Sequence, residues 1–320
     1  MIDFRYHIVS LISVFLALAV GIVLGAGPLK NTIDQSLTDQ VEQLRGEKGT
    51  LRDERDQARR GLADEKAFVD YAAAELLADR LTGHRVAIIN LAKVPDETSR
   101  AVEARLRQAG ADVTGQVTLT ETWTDTTSAA YRKQLAGTLS QHLHPAPTDA
   151  TTDVILATSL VQALTGADPD DPRRFSDSAS QLLGILTTSD LALVTKSGDL
   201  EVTADAIVVI SPPSKGGAPA AGVVKARIAV VAAAQAGSQG AVLVDGPRGK
   251  ASLVDAVLAD PALKGKVTTV SGIAATSAQV TVPMALAAQL GGIVDHYGSG
   301  DDEKVLPPTV RPEPETEVEG

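Results

Sequence analysis

The 320-residue chain contains no cysteine, which excludes thiolate catalysis, cysteine metal ligation and disulfide bonding. It has little aromatic character, 3%, and only two methionines. An excess of basic charge is also missing. With 29 Lys and Arg against 40 Asp and Glu, the net charge is −11, the opposite of the footprint that nucleic acid requires. Much of this acidity sits in the tail. Hydrophobic residues, mainly Ala, Val and Leu, make up 44%, enough to bury a core in a chain of this length.

One run has no charge at all. Residues 8–29, IVSLISVFLALAVGIVLGAGPL, meet the requirement of about 20 apolar helical residues for crossing a hydrocarbon core roughly 30 Å thick. Gly25 and Gly27 imitate a small-x-small cleavage site, but Pro28 follows and the run exceeds the core of a cleaved signal, so an uncleaved anchor is expected. Arg5 and Lys30 nearly balance across the span. The short segment ahead of it favours an inside N-terminus and an extracytoplasmic bulk.

Residues 31–82 read as one long helix, a stalk of about 75 Å if straight at 1.5 Å per residue. Leu37, Leu44, Leu51, Ala58 and Ala72 at d, with Val41, Leu62, Val69 and Leu76 at a, form a heptad seam. Lys48 and Arg55 interrupt it at a, and Glu65 and Asp79 at d. Gly46, Gly49 and Gly61 each cost about 1 kcal/mol of helix propensity relative to Ala. A solvated stalk with a coincidental seam is the alternative. In the span, Ala17, Gly21 and Gly25 recur every four residues, a spacing that lets two backbones approach. Both features point to a symmetric dimer through Ala17, Gly21, Gly25, Leu37, Val41, Leu44 and Leu51.

Beyond His84, strand and helix patterns alternate. Strands are expected at 86–91, 113–119, 206–210, 241–245 and 267–270, and helices at 96–109, 128–143, 150–165, 175–188 and 277–294, with a turn at 168–172. This order implies a mostly parallel, Rossmann- or flavodoxin-like sheet. The expected layout is α/β throughout: transmembrane anchor 1–30, coiled-coil stalk 31–82, sheet domain 83–298, and a disordered acidic, proline-rich tail 299–320.

Such a sheet invites a nucleotide, but the loop 90–96 after the first strand has no glycine and lacks the dinucleotide fingerprint. In Gly246-Pro-Arg-Gly-Lys250 the glycines are too close for a phosphate loop, so a turn opening a helix is expected. Asp245 stands at a strand end, the usual address of a ligand crevice. No serine occupies a nucleophile elbow, so no catalytic residue is assigned and no enzymatic activity is expected.

Arg5, His7, Ser10 and Leu11, then Val14-Phe-Leu-Ala-Leu-Ala19, Gly21 and Gly25, resemble the opening of the actinobacterial MctB family. The resemblance continues through the stalk, the 76–86 junction, and the late segment Pro283-Met-Ala-Leu-Ala-Ala-Gln289 to His296-Tyr-Gly298. It implies a membrane-bound envelope protein of copper efflux or homeostasis; SteB-like relatives are instead tied to cell-wall control during division.

The residues themselves say less about copper. Copper(I) favours thiolates and thioethers and copper(II) accepts imidazole, yet the chain has only Met1 and Met284 and one close histidine pair. That pair, His142 and His144, is the candidate metal site. The two would share a face on an extended segment; an ordinary helix end is the other reading. His7 is expected to snorkel beside Arg5, and His296 to pack with Tyr297 near the end of the final helix. A pore needs several spans or a closed barrel, so the expected function is copper handling by a single-pass envelope protein without a conventional pore. The alternative is a coiled-coil envelope scaffold acting through a protein partner.

Overall fold

The computed structural model describes residues 4–26, 28–145, 148–188, 190–198, 200–212 and 217–310, with the side chains of residues 4, 26 and 28–38 excepted. Its contacts divide the chain into two units, 1–65 and 66–320. The first unit holds α1 (Phe4–Ala26) and most of the 50-residue α2 (Pro28–Leu77). The uncharged run forms α1 because unbroken apolar helix formers satisfy every backbone group internally. Its stretch Arg5–Gly25 is the one helix among the described residues long and apolar enough to cross a membrane.

The second unit begins with the last turns of α2 and continues through β1 (Arg85–Asn90), α3 (Asp96–Gln108), β2 (Asp112–Leu119), α4 (Ala129–Leu139), α5 (Thr152–Thr165), β3 (Ala167–Asp168), β4 (Asp171–Phe175), α6 (Asp177–Thr187) and β5 (Val194–Ser197). Then come β6 (Ala206–Ile210), α7 (Ala221–Ala236), β7 (Gly240–Val244), α8 (Leu253–Ala259), α9 (Pro261–Lys264), β8 (Thr268–Val270), α10 (Thr276–Leu290) and β9 (His296–Tyr297). The main sheet has the order β5-β2-β1-β6-β7-β8-β9 and is parallel except where β5 meets β2. The order reverses at β1, between β2 on one side and β6 on the other.

Alternation along each strand sorts the core onto two faces. Val86, Ile88, Val208, Ile210, Val242 and Val244 face a layer made by the end of α2, α3 and α10; Ala87, Ile89, Ile207, Val209 and Leu243 face α4 to α8. Burial on both faces explains why the central strands read as continuous apolar runs.

Several expectations change. Ala73 and Leu77 are fully buried in the sheet unit's core, with Val69 and Leu76 packed against it. The Arg105–Asp70 ion pair fastens the same turns to α3. The contacts divide the chain at 65/66 where 82/83 was expected, and Val69 and Leu76, expected at the heptad seam, pack against an intramolecular core. Around the expected 168–172 turn, β3 and β4 form a small antiparallel hairpin, whose short and mostly polar strands carry no strand pattern. The edge strand β5 has no apolar run of its own for the same reason: only Val194 of its four residues is buried.

The last helix stops at Leu290, where Gly291 and the left-handed Gly292 end it, so His296 and Tyr297 belong to a strand rather than to the helix end. Nor are residues 299–310 a loose tail. Lys304 N donates to His296 O at 2.8 Å, and the Glu303 carboxylate is fully enclosed. Residues 311–320 of that expected tail lie outside the described residues.

Candidate functional site

The reversal of strand order opens a crevice at the carboxyl ends of β1 and β2, flanked by the antiparallel edge strand β5, with a volume of about 940 Å³. The chain leaving β1 runs to α3 on one face of the sheet and the chain leaving the neighbouring β6 runs to α7 on the other, so the two connections part at this point. At its floor lies Asn90, 2% exposed. Its amide nitrogen donates to Thr118 Oγ1 at 3.2 Å and its oxygen accepts from Ser99 Oγ at 3.3 Å. Thr195 and Ser197 of β5 line one side, and Arg227 of α7 also lines the crevice. Burial lowers the affinity of the Arg227 guanidinium for its proton, an effect that the charge of Asp245 opposes. The crevice combines neutral hydrogen-bonding groups of Asn90, Ser99, Thr118 and Thr195 with charged side chains of both signs, Lys93 and Arg227 against Asp96, Glu121 and Asp125, a polar lining suited to hydrogen-bonding a ligand.

Asp245 occupies the expected strand end, but its carboxylate is committed. Oδ2 accepts from Leu253 N at 2.6 Å, Ser252 Oγ at 2.9 Å and Val254 N at 3.3 Å, and Oδ1 from Gly246 N at 2.8 Å. Three of these donors are backbone groups at the start of α8 and in the preceding turn. The loop Gly246–Lys250 is the simple helix-opening turn that its spacing suggested, beside a smaller concavity of about 430 Å³. Arg248 in this loop pairs with Asp255 and reaches Glu303 of the C-terminal segment at 3.2 Å.

His142 ends a short 3-10 turn and His144 follows in a bend, where its Nδ1 lies 3.2 Å from His142 O. The segment is therefore not an extended strand presenting both rings on one face. Among the described residues no group of three or more His, Asp or Glu side chains could hold a metal ion. Met284 is buried in the core, and Met1 lies outside the described residues.

Two histidines have surroundings that sequence alone could not supply. His84 is buried at the foot of β1 with Nδ1 3.4 Å from Asp205 Oδ1, while Asp205 Oδ2 accepts from Arg85 N at 3.0 Å. His296, in β9, shares a 3.0 Å hydrogen bond with Thr269 Oγ1. Burial depresses its proton affinity, partly offset by hydrogen bonding at Lys264 and the negative charge of Asp295. The signal missed for both is long-range pairing, which no local window contains.

In α1, residues 5–25 are exposed in the isolated chain, and a Cβ at Gly21 or Gly25 would meet nothing within 4 Å. Val41, Leu44 and Leu51 are exposed as well, whereas the side chain of Leu37 lies outside the described residues.

A protein family described as Copper transport outer membrane protein, MctB, matches residues 1–308. Proteins named Copper transporter MctB from Mycobacterium bovis and Mycobacterium tuberculosis are each 31% identical to this chain over 312 residues, covering 94% of it and 97% of the relative. The protein of the same name from Mycobacterium leprae is 29% identical over 318 residues, with 94% and 97% covered. The match runs through the apolar helix, the long helix and the sheet unit alike, and the chain belongs to the MctB family.

Proposed function

We propose that this chain is a single-pass cell-envelope protein that handles copper as part of a larger assembly, with α1 in the membrane, the α/β unit outside the cytoplasm, and no pore of its own. The observation that carries the reading is the copper-transport family match over residues 1–308, which takes in the apolar helix and the sheet unit as one layout. The copper cargo comes from the names of the relatives. The lack of a pore rests on geometry: one spanning helix cannot enclose an aqueous path. The shorter apolar helix α5 spends its hydrophobic face on the sheet core.

In this reading the chain self-associates through α1 and α2, and any direct copper contact falls to His142 and His144. A single chain offers these imidazoles no third ligand among the described residues, so tight binding would draw donors from elsewhere in the assembly. The test is a deletion strain assayed for cell-associated copper and copper tolerance, complemented with the full chain or with a form lacking residues 5–25. Copper accumulation restored to normal only by the anchored form is expected. Unchanged copper levels on deletion would overturn the reading.

A second reading, an envelope scaffold working through a protein partner, is favoured by Phe68 and Tyr71. These are 72% and 86% exposed on α2, in a chain with few aromatics to spare. Altered cell shape or division on deletion, with copper tolerance intact, would select it.

A further inference from the structure

The outward charges of α2 point to more than self-association. With Val41, Lys48, Arg55 and Leu62 at a, and Leu44, Leu51 and Ala58 at d, the flanking positions divide by sign. The e positions are Arg45, Arg52 and Arg59; the g positions are Gln40, Glu47, Glu54 and Gly61. Every e residue of this stretch is a cation, and no g residue is. Among the described residues Arg45, Arg52, Arg59 and Glu54 form no ion pair within the chain, whereas Arg55 and Lys66 do so with Asp56 and Asp70. The seam beside them is bare: Val41, Leu44, Leu51 and Leu62 are 42–66% exposed.

We infer that two copies of this chain pair along Val41–Leu62 as a parallel, in-register, two-stranded coiled coil, held in orientation by Glu47 against the Arg52 of the other copy and Glu54 against its Arg59. The inference rests on the self-association proposed above and specifies its geometry. In a parallel pair each g residue meets the e residue of the following heptad on the other helix, which here brings opposite charges together. In an antiparallel pair e faces e and g faces g, which would set arginine against arginine and glutamate against glutamate. The charges therefore choose the direction.

Register has a separate cause. A shift of one heptad would keep the charge signs matched, but α1 precedes α2 directly, and two copies anchored at the same depth in one membrane begin their stalks level. Lys48 and Arg55 at a weaken the seam, yet each stands next to a g glutamate that the other helix's cation can reach, and buried cations discourage larger bundles. Gly46 and Gly49 fall at f and b, away from the seam, so their missing side chains cost the contact nothing. The seam ends beyond Leu62 for a reason visible in the second unit: Val69, Ala73, Leu76 and Leu77 are already packed on the chain's own sheet core. Some 22 residues, about 30 Å of helix, remain for the partner.

Because the chain has no cysteine, it carries its own blank background for crosslinking. The full-length chain in lipid nanodiscs, with Leu51→Cys at d or Asp53→Cys at the outward f position, is oxidised mildly with iodine. Leu51→Cys should give disulfide-linked dimers at least ten times faster than Asp53→Cys. Adding Glu47→Arg and Glu54→Arg should lower the crosslinked fraction at least five-fold. Co-expression with a copy carrying Arg52→Glu and Arg59→Glu should restore it as a heterodimer. A monomer in sedimentation equilibrium of the detergent-solubilised chain would overturn both this inference and the self-association beneath it. A dimer in which Asp53→Cys links as fast as Leu51→Cys, or in which charge reversal has no effect, would overturn the parallel seam alone.

Discussion

Asp245 Oδ2 accepts the backbone N–H of Leu253 at 2.6 Å, tying the carboxyl end of β7 to the first residue of α8. Together with Ser252 Oγ and Val254 N, this bond makes the aspartate a structural clamp. Hydrogen bonds to a charged group contribute about 1.5–3 kcal/mol each at best, and their losses do not add. Asp245→Ala is expected to lower unfolding free energy by about 2–4 kcal/mol. Chemical denaturation of the full chain, monitored by circular dichroism, checks this; an unchanged midpoint would show that the clamp is dispensable.

Glu303 is the corresponding clamp for the C-terminal segment. Its Oε2 accepts from Ser271 Oγ at 2.7 Å and Gly300 N at 2.8 Å, and its Oε1 lies 3.2 Å from Arg248 Nη1. Burial works against the charge of Arg248, but Asp255 and Glu303 raise its pKa above the ordinary guanidinium value. Gly298, with φ +155°, leaves the space these groups occupy; a Cβ there would collide with Ser271 and Glu303. Glu303→Ala should free the segment for proteolysis after Gly298 and cost about 2–3 kcal/mol, because donors are left buried without an acceptor. Gly298→Ala should do the same by collision and backbone strain. Limited proteolysis followed by mass measurement reads both.

His296 gives the sheet unit an acid-sensitive edge. Burial lowers its pKa in the folded state, so at mildly acidic pH the unfolded chain binds more protons than the folded one. Its contribution is fully present above the unfolded value of about 6.5 and is lost as pH falls through the lower folded value. Urea midpoints at pH 7.5 and 5.5 should therefore differ more for the wild type than for His296→Gln. Equal differences would exclude His296 as the source.

The small-residue face of α1 predicts a further effect on association. Gly21→Ile and Gly25→Ile fill positions at which a Cβ now meets nothing within 4 Å of the same chain. Neither should change the stability of the α/β unit, which contains no part of α1. If two spans approach along Ala17, Gly21 and Gly25, each should weaken dimerisation in detergent several-fold, measured by analytical ultracentrifugation. No change would confine the contact to α2.

Local pattern reveals what depends on local physics. The charge-free run, the long helix without an interrupting proline, the end of α3 at Gly110 and the strands around Ile88, Val208 and Leu243 were all readable from composition and period. Gly110 shows why: its φ of +89° closes the helix, and a Cβ there would lie 2.6 Å from Thr82 Oγ1. The weakly apolar edges β5 and β9 were not readable in this way, because pairing with a neighbour, rather than any periodicity of their own, makes them strands.

The candidate site divides along the same line. Asp245 could be placed at a strand end from sequence, but only the fold shows its oxygens used up by α8, and only the strand order puts the larger crevice at Asn90. His142 and His144 could be seen to be close in sequence; the turn between them decides how their rings are presented. By itself the sequence determined an apolar helix, a heptad pattern with charges sorted by side, and an alternating α/β unit, since each is set by neighbours within a few residues. Tertiary structure decided which turns of the long helix join the core, how Glu303 holds the C-terminal segment, and which histidines are buried. Those outcomes depend on burial and charge pairing between segments as far apart as Arg248 and Glu303.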